Sequence, residues 1–166
     1  MLINQKLLFN SAECQEIIDL NKTEIRYWNT SIYEYHSKGI LYTDDTAWIF
    51  DRLSNYFIEQ TGTDIIKMKE EIHFHIFKDG DRFEKHNDDK RNRVFGVGVL
   101  LNDTFDGGDF IFYDKTPITI DKVSGNSYIF DVSTEHEVKQ INSGVRYSLL
   151  WFLEGNNLKV KKNSFI

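Results

Sequence analysis

The feature that most constrains the fold of this chain is a series of short β-forming runs in its second half. The runs are Ile65–Phe77, Arg93–Leu101, Asp109–Tyr113, Ile118–Ile120, Tyr128–Phe130, His136–Ile141 and Val145–Leu153. Turn signals rich in glycine, asparagine, serine and aspartate separate them, with no helical pattern between. Strands at this density predict a mainly β fold of the jelly-roll type, with any helices packed outside it.

Two flanking helices are predicted ahead of these runs, in a helical and strand support region over about residues 1–64. In the first, Asn10 and Glu13 have the spacing of a capping box, and Cys14 lies on an apolar stripe. The second is expected to start after Asp45 and to end at Gly62. Its predicted core face consists of Ile49, Phe50, Leu53 and Phe57. A jelly-roll core over about residues 65–155 completes one domain, residues 1–166.

The amino-acid composition excludes or disfavours several classes of function. The chain has 166 residues, 40% of them hydrophobic, which is enough to bury a core. The 20 lysines and arginines against 26 aspartates and glutamates give a net charge of -6, which disfavours nucleic acid as a partner. No apolar run is long enough for a membrane span. A single cysteine and the lack of a signal-like start predict a reducing, cytoplasmic setting.

Metal chemistry is predicted from three residues. His86 and Asp88 are two positions apart, so on an extended segment both side chains leave from one face and can converge on one ion. By itself this pair is weak evidence, because a solvated turn can also contain it. His136 completes a set of two histidines and one carboxylate, the facial triad of non-haem Fe(II) oxygenases.

An anion site is predicted further along. Strand alternation places Arg146 and Ser148 on one face of their strand and apolar side chains on the other. An arginine on the polar side of a buried strand needs an anion, either a ligand or a carboxylate of the core edge. On another strand, Gly96 and Gly98 share a face, which predicts a close approach to the backbone or tight barrel packing.

These motifs together resemble the Fe(II)/2-oxoglutarate-dependent dioxygenases, and within them the prolyl 4-hydroxylase-like group. The match covers segments 77–88 (FKDGDRFEKHND), 107–110 (GGDF) and 136–148 (HEVKQINSGVRYS). The resemblance implies a double-stranded β-helix that binds Fe(II) through His86, Asp88 and His136. It also implies that Arg146 binds the distal carboxylate of 2-oxoglutarate, with Ser148 adding a hydrogen bond.

The implied reaction is hydroxylation of an unactivated C–H bond, with 2-oxoglutarate as co-substrate, O2 as oxidant and ascorbate in support. The expected substrate is a prolyl or other amino-acid residue of a peptide or protein, or a free amino acid. The aromatic segment 27–35 and the charged loop 89–93 are candidate substrate-facing lids, or ordinary packing and a solvated loop. One departure concerns Phe77, where the pattern often has a tyrosine whose hydroxyl binds the co-substrate. Either another hydroxyl, such as that of Tyr113, substitutes for it, or the pocket binds 2-oxoglutarate with fewer hydrogen bonds.

Two other classes remain open. His73 and His75 form a His-x-His pair, and a cupin-type metal enzyme of other activity would use such a pair without needing Arg146. A catalytically inactive binding module would keep the fold without turning over 2-oxoglutarate. The alternation of His73 and His75 with Ile72, Phe74 and Ile76 favours histidines that are partly buried or that pack beside the metal ligands. Substrate-pocket residues and metal ligands remain the other two possibilities.

Overall fold

The structure is a computed structural model, which describes residues 2–66 and 71–160. Two helices precede most of the strands: α1 (Ser11–Leu20) and α2 (Ala47–Thr61). The early strands are β1 (Leu2–Leu7), β2 (Arg26–Asn29), β3 (Tyr33–Ile40), β4 (Thr63–Ile65), β5 (Ile72–Phe77), β6 (Arg82–His86) and β7 (Arg93–Leu100). The later strands are β8 (Phe105–Gly107), β9 (Phe110–Tyr113), β10 (Pro117–Thr119), β11 (Asn126–Asp131), β12 (Glu135–Val138), β13 (Ile141–Gly144), β14 (Arg146–Glu154) and β15 (Leu158–Val160).

Most strands belong to one curled antiparallel sheet. Its order is β1-β11-β7-β14-β5-β3-β6-β12-β9-β10, with β2 paired to β3 at the side. Short pairs β13-β8 and β15-β4 complete the described strands. The curl brings β14 and β5 opposite β12 and β9, as in the predicted jelly roll. The mainly β fold with flanking helices is thereby confirmed.

The two faces of the sheet have different cores because side chains alternate along each strand. The outer core joins the helices to residues such as Phe74, Leu149 and Trp151. The inner core lies within the curl and includes Phe77, Phe112 and Phe130. The functional side chains described below lie with this second, inner set.

Both predicted helices are present. The start of α1 and the end of α2 are capped as the sequence indicates, whereas α2 begins after Thr46, whose side chain makes no capping hydrogen bond. The Asn10 side chain accepts a hydrogen bond from the Glu13 backbone, and the Glu13 carboxylate accepts one from the Asn10 backbone, closing the capping box. Helix α2 ends at Gly62, whose φ of 68° is left-handed and favours glycine. No helix in the described part of the chain is long and apolar enough to cross a membrane.

Strands from the predicted support region take part in the main sheet. Strands β1 and β3 lie in the main sheet, although the core was expected from about residue 65. In the predicted run Ile65–Phe77, β4 ends at Ile65 and β5 begins at Ile72; positions 67–70 lie outside the described residues. The run His136–Ile141 also divides, into β12 and β13. The sequence of β3 has no clear apolar alternation. In the structure most of its side chains are half-buried, so neither face of the strand needs to be strongly apolar.

Candidate functional site

The three predicted metal ligands meet inside the curl of the sheet. His86 ends β6, Asp88 follows two residues later, and His136 on β12 is the register partner of His86. One ligand atom from each of the three side chains lies within 4.8 Å of the others. Within residues 2–66 and 71–160 this is the only such group of three metal-binding side chains.

The hydrogen bonds of both histidines determine which ring nitrogen faces the site. His86 Nδ1 lies 2.7 Å from the Glu84 carbonyl oxygen, and His136 Nδ1 lies 3.0 Å from the Thr134 carbonyl oxygen. Because a carbonyl oxygen only accepts, each Nδ1 carries the hydrogen and donates it. In the neutral rings each Nε2 therefore presents a lone pair, which is the form that binds a metal.

The Asp88 carboxylate faces these lone pairs. Its Oδ2 atom is 2.9 Å from His136 Nε2, and its Oδ1 atom is 3.6 Å from His86 Nε2. Asp88 Oδ2 is buried and has no hydrogen-bond partner in the described part of the chain. Lone pairs that face one another in a buried site require a cation or a proton between them. The donor set of two imidazoles and one carboxylate thus fits a divalent metal ion such as Fe(II).

The charge states of the ligands agree with this fit. Burial alone would raise the pKa of Asp88, but His136, His86 and Arg93 outweigh it and hold that pKa below its ordinary value. Burial, followed by the nearby His136, lowers the pKa of His86. At neutral pH the carboxylate is therefore ionised and the His86 imidazole neutral, as metal binding requires.

A cavity of about 220 Å³ contains these three side chains and continues to Arg146 and Ser148. Arg146 and Ser148 lie on the inward face of β14, while Leu149 and Trp151 are buried in the outer core. This is the alternation that the sequence predicts.

Arg146 is a buried cation without an anion. Its guanidinium carbon lies 5.5 Å from the ring centroids of Phe77 and Phe110, and its Nη1 donates to the Ser148 hydroxyl at 3.0 Å. Among the described residues no carboxylate pairs with it, and its Nε has no hydrogen-bond partner. Burial lowers its pKa, while Tyr128 opposes this change. The core-edge carboxylate alternative is absent from this part of the chain, and the guanidinium is available to an anionic ligand in the cavity.

Tyr128 is a site residue that the sequence reasoning missed. It lines the cavity from β11, and its hydroxyl interacts with the Arg146 guanidinium. Its ring lies over Gly98, the register partner on β7, where an added Cβ would be 2.2 Å from ring carbons. Gly96 accommodates Phe130 in the same way. The two glycines therefore allow a close approach, and what approaches is an aromatic ring from the neighbouring strand.

The structure does not support the predicted role of Tyr113 in co-substrate binding. On β9 the side chain of Phe112 is buried inside the curl, so that of its neighbour Tyr113 leaves from the other face. The Tyr113 hydroxyl donates to Glu137, and its ring lies under the Lys85 ammonium. Tyr113 does not line the cavity that contains Arg146. That prediction is therefore corrected.

Aromatic and histidine side chains form the remaining cavity wall. Tyr35 stacks on Phe77 and Phe83, with centroids 5.2 and 5.6 Å apart. His73 and His75 line the same cavity, but they belong to no metal-binding group among the described residues. This placement removes support from the cupin-type alternative.

The two candidate lids contribute in part. Tyr33 and Tyr35 from β3, and Lys90 and Arg93 from the charged loop and the start of β7, line the cavity. Tyr27 and Trp28 lie on the exposed strand β2. The loop is held against the site by backbone hydrogen bonds from Lys90 N to Asp88 O and from Arg93 N to Lys90 O, at 2.8 and 3.2 Å.

Comparison with known proteins agrees with this geometry. The sequence family described as the 2OG-Fe(II) oxygenase superfamily matches residues 72–154, half of the chain. This segment contains all the side chains of the metal and arginine sites. No curated protein sequence matches the chain.

Three solved structures illustrate the likeness in fold. An oxidoreductase of the 2OG-Fe(II) oxygenase family from Burkholderia pseudomallei has a TM-score of 0.75 at 16% identity, covering 98% of this chain and 88% of that one. A Pseudomonas putida prolyl-4-hydroxylase has a TM-score of 0.69 at 20% identity, covering 91% of each chain. A Trichoplax adhaerens prolyl hydroxylase, in complex with a peptide fragment of hypoxia inducible factor, has a TM-score of 0.72 at 18% identity, covering 95% and 84%. At these identities the likeness establishes the fold.

Proposed function

Since the chain belongs to the 2OG-Fe(II) oxygenase superfamily, we propose that it is a non-haem Fe(II)- and 2-oxoglutarate-dependent dioxygenase that hydroxylates an unactivated C–H bond. One observation carries the proposal. The buried Arg146, which has no anionic partner among the described residues, shares a cavity with two imidazole lone pairs and a carboxylate. This arrangement suits a metal ion and a dicarboxylate bound side by side.

The residues have distinct roles in this proposal. His86, Asp88 and His136 hold Fe(II), and the Glu84 and Thr134 carbonyls fix the orientation of the two rings. Arg146 binds the distal carboxylate of 2-oxoglutarate, assisted by the Ser148 hydroxyl. Asp88 supplies the negative charge that a third neutral ligand would not, and a carboxylate at this position favours hydroxylation over halogenation.

The chemistry supplied by the bound cofactors is oxidative decarboxylation of 2-oxoglutarate by O2, which yields succinate and CO2 and provides the oxidant for the C–H bond. The protein orients the reactants and excludes water. Phe77, Phe83 and Phe110 surround the site with apolar surface, which strengthens the electrostatic attraction between Arg146 and a carboxylate. Ascorbate is proposed as a supporting reductant.

The proposed substrate is a prolyl or other amino-acid residue in a peptide or protein, or a free amino acid. The likeness in fold to proteins described as prolyl hydroxylases supports this class. The aromatic wall of Tyr33, Tyr35 and Phe83 beside the metal ligands is suited to an apolar ring or aliphatic side chain.

The test is turnover of 2-oxoglutarate by the Fe(II)-loaded protein, measured as succinate in the presence of O2, with and without ascorbate. Prolyl peptides and free amino acids are offered together, and products are examined by mass spectrometry for the gain of one oxygen atom. We expect succinate formation that is lost in His136→Ala and Arg146→Ala, and retained in Tyr113→Phe. Wild-type protein that binds neither Fe(II) nor 2-oxoglutarate would contradict the proposal.

A further inference from the structure

The arginine site lacks a hydroxyl at the position where the resemblance leads one to expect it. Phe77 packs against the Arg146 guanidinium, but phenylalanine has no hydrogen-bond donor. A carboxylate bound at the Arg146 guanidinium would have the apolar rings of Phe77 and Phe110 nearby. Its oxygens accept several hydrogen bonds, and those that remain unmade in a buried site reduce affinity.

Tyr128 has the placement needed to supply this hydroxyl. Its ring and the Arg146 guanidinium both pack on Phe110, at 5.4 and 5.5 Å between centres. The hydroxyl oxygen would be 2.4 Å from a Cβ on Gly98, so it lies directly over the β7 backbone at the cavity wall. Gly98 is the register partner of Leu150 on β14, two residues from Ser148. The hydroxyl is thus next to the strand that carries Arg146 and Ser148.

The buried Tyr128 hydroxyl has its hydrogen-bond contact with the Arg146 guanidinium. The residue is 2% exposed, and the contact of its hydroxyl with the described residues is to a guanidinium, which itself can only donate. The Tyr128 hydrogen therefore remains available to an acceptor in the cavity. Tyr35, the competing hydroxyl, stacks on Phe77, and its pKa is raised by burial and by the nearby Tyr33 and Asp88.

We propose that Tyr128 donates a hydrogen bond to the distal carboxylate of 2-oxoglutarate, in place of a tyrosine at position 77. This inference rests on the proposed function and adds a residue to it. Tyr128, Arg146 and Ser148 then surround one carboxylate, and Gly98 is required because a larger residue would displace the Tyr128 ring. The hydroxyl is supplied by β11 rather than by β5.

The test is anaerobic calorimetric titration of the Fe(II)-loaded protein with 2-oxoglutarate, together with the absorption band of the chelate. Tyr128→Phe is compared with wild type, and Tyr35→Phe and Tyr113→Phe serve as hydroxyl-deletion controls. A matched ligand, 2-oxopentanoate, has a methyl group where 2-oxoglutarate has its distal carboxylate. Loss of one hydrogen bond to a charged group is expected to increase the Kd roughly tenfold or more.

We expect Tyr128→Phe to weaken the binding of 2-oxoglutarate by about tenfold or more, while 2-oxopentanoate binds as in wild type. The second variant, Phe77→Tyr in the Tyr128→Phe background, is expected to recover affinity because it restores a hydroxyl on the facing wall. An unchanged Kd in Tyr128→Phe, an equal loss for both keto acids, or an equal loss in Tyr35→Phe would overturn the inference. Absence of 2-oxoglutarate binding in wild type would instead refute the proposed function.

Discussion

His136 Nε2 lies 2.9 Å from Asp88 Oδ2, and the only hydrogen of the neutral His136 ring is donated to Thr134. The contact therefore sets lone pairs face to face inside a buried site. Such an arrangement becomes favourable when a cation lies between the atoms, because the repulsion is replaced by two coordination bonds. The contact thus requires a positive charge between the two atoms, either a proton or a metal ion.

Fe(II) is accordingly expected to stabilise the protein. At a free metal concentration about 100 times Kd, binding to the folded state alone raises the free energy of unfolding by roughly 2.7 kcal/mol. Anaerobic thermal melts with Fe(II) and after chelation will measure this change. Asp88→Ala should abolish the metal-dependent increase in Tm, whereas Asp109→Ala, at an exposed site paired with Lys122, should retain it. An equal increase in both variants would contradict the ligand assignment.

Arg146→Met is predicted to separate stability from binding. Replacing a buried charge that has no carboxylate partner with an apolar side chain of similar length removes a desolvation cost, so the ligand-free protein should be as stable as wild type or more stable by roughly 1–3 kcal/mol. Binding of 2-oxoglutarate should fall at least a hundredfold. Urea unfolding and calorimetry measure the two effects.

The matched control for that prediction is Arg52→Met. Arg52 is ion-paired with Glu13 at 2.7 Å, so its removal should lower the free energy of unfolding. If Arg146→Met destabilised the protein as Arg52→Met does, Arg146 would be a structural residue rather than a ligand-binding one.

Short sequence motifs correctly predicted those features that depend only on neighbouring residues, such as helix ends and the alternation of side chains along a strand. The capping box of Asn10 and Glu13 and the glycine at position 62 mark helix ends through hydrogen bonds and φ angles of adjacent residues. The position of Arg146 on the inward face of β14 follows from alternation alone.

Relationships between strands were not predictable in this way. Strand β3 is central in the sheet, but its half-buried residues do not give the apolar alternation of a core strand. The Tyr128 contact with Arg146 depends on the registers of β11, β7 and β14, which a single sequence does not encode locally. A signal for it existed in the pair Gly98 and Phe77, one lacking a side chain and the other lacking a hydroxyl.

His75 is predicted to make the protein less stable in acid. Burial, with His73 and Arg146 nearby, lowers its pKa to about 3, whereas an unfolded histidine has a pKa near 6.5. The unfolded chain therefore binds the proton more tightly, and the free energy of unfolding falls as the pH decreases from about 6.5 toward 3. At pH 5 this contribution is at most about 2 kcal/mol.

His75→Gln removes the titrating group and tests this assignment. Urea unfolding at pH 7.5 and pH 5 should show a smaller loss of stability on acidification in the variant than in wild type. The other titrating groups are common to both proteins, so they cancel in the comparison. Identical pH dependence would show that His75 does not carry this effect.

Gly98→Ala is predicted to disturb the co-substrate site through Tyr128. A Cβ at Gly98 would meet the Tyr128 ring at 2.2 Å, so the ring must move and the packing loss is expected to cost roughly 1–3 kcal/mol of stability. Gly155→Ala is the matched control, because its nearest contact would be 3.4 Å from Val94. In thermal melts, only Gly98→Ala should have a Tm well below that of wild type. Calorimetry should also show weaker 2-oxoglutarate binding in that variant, since displacement of the ring carries the hydroxyl away from Arg146; wild-type affinity despite lowered stability would mean that Gly98 serves packing alone.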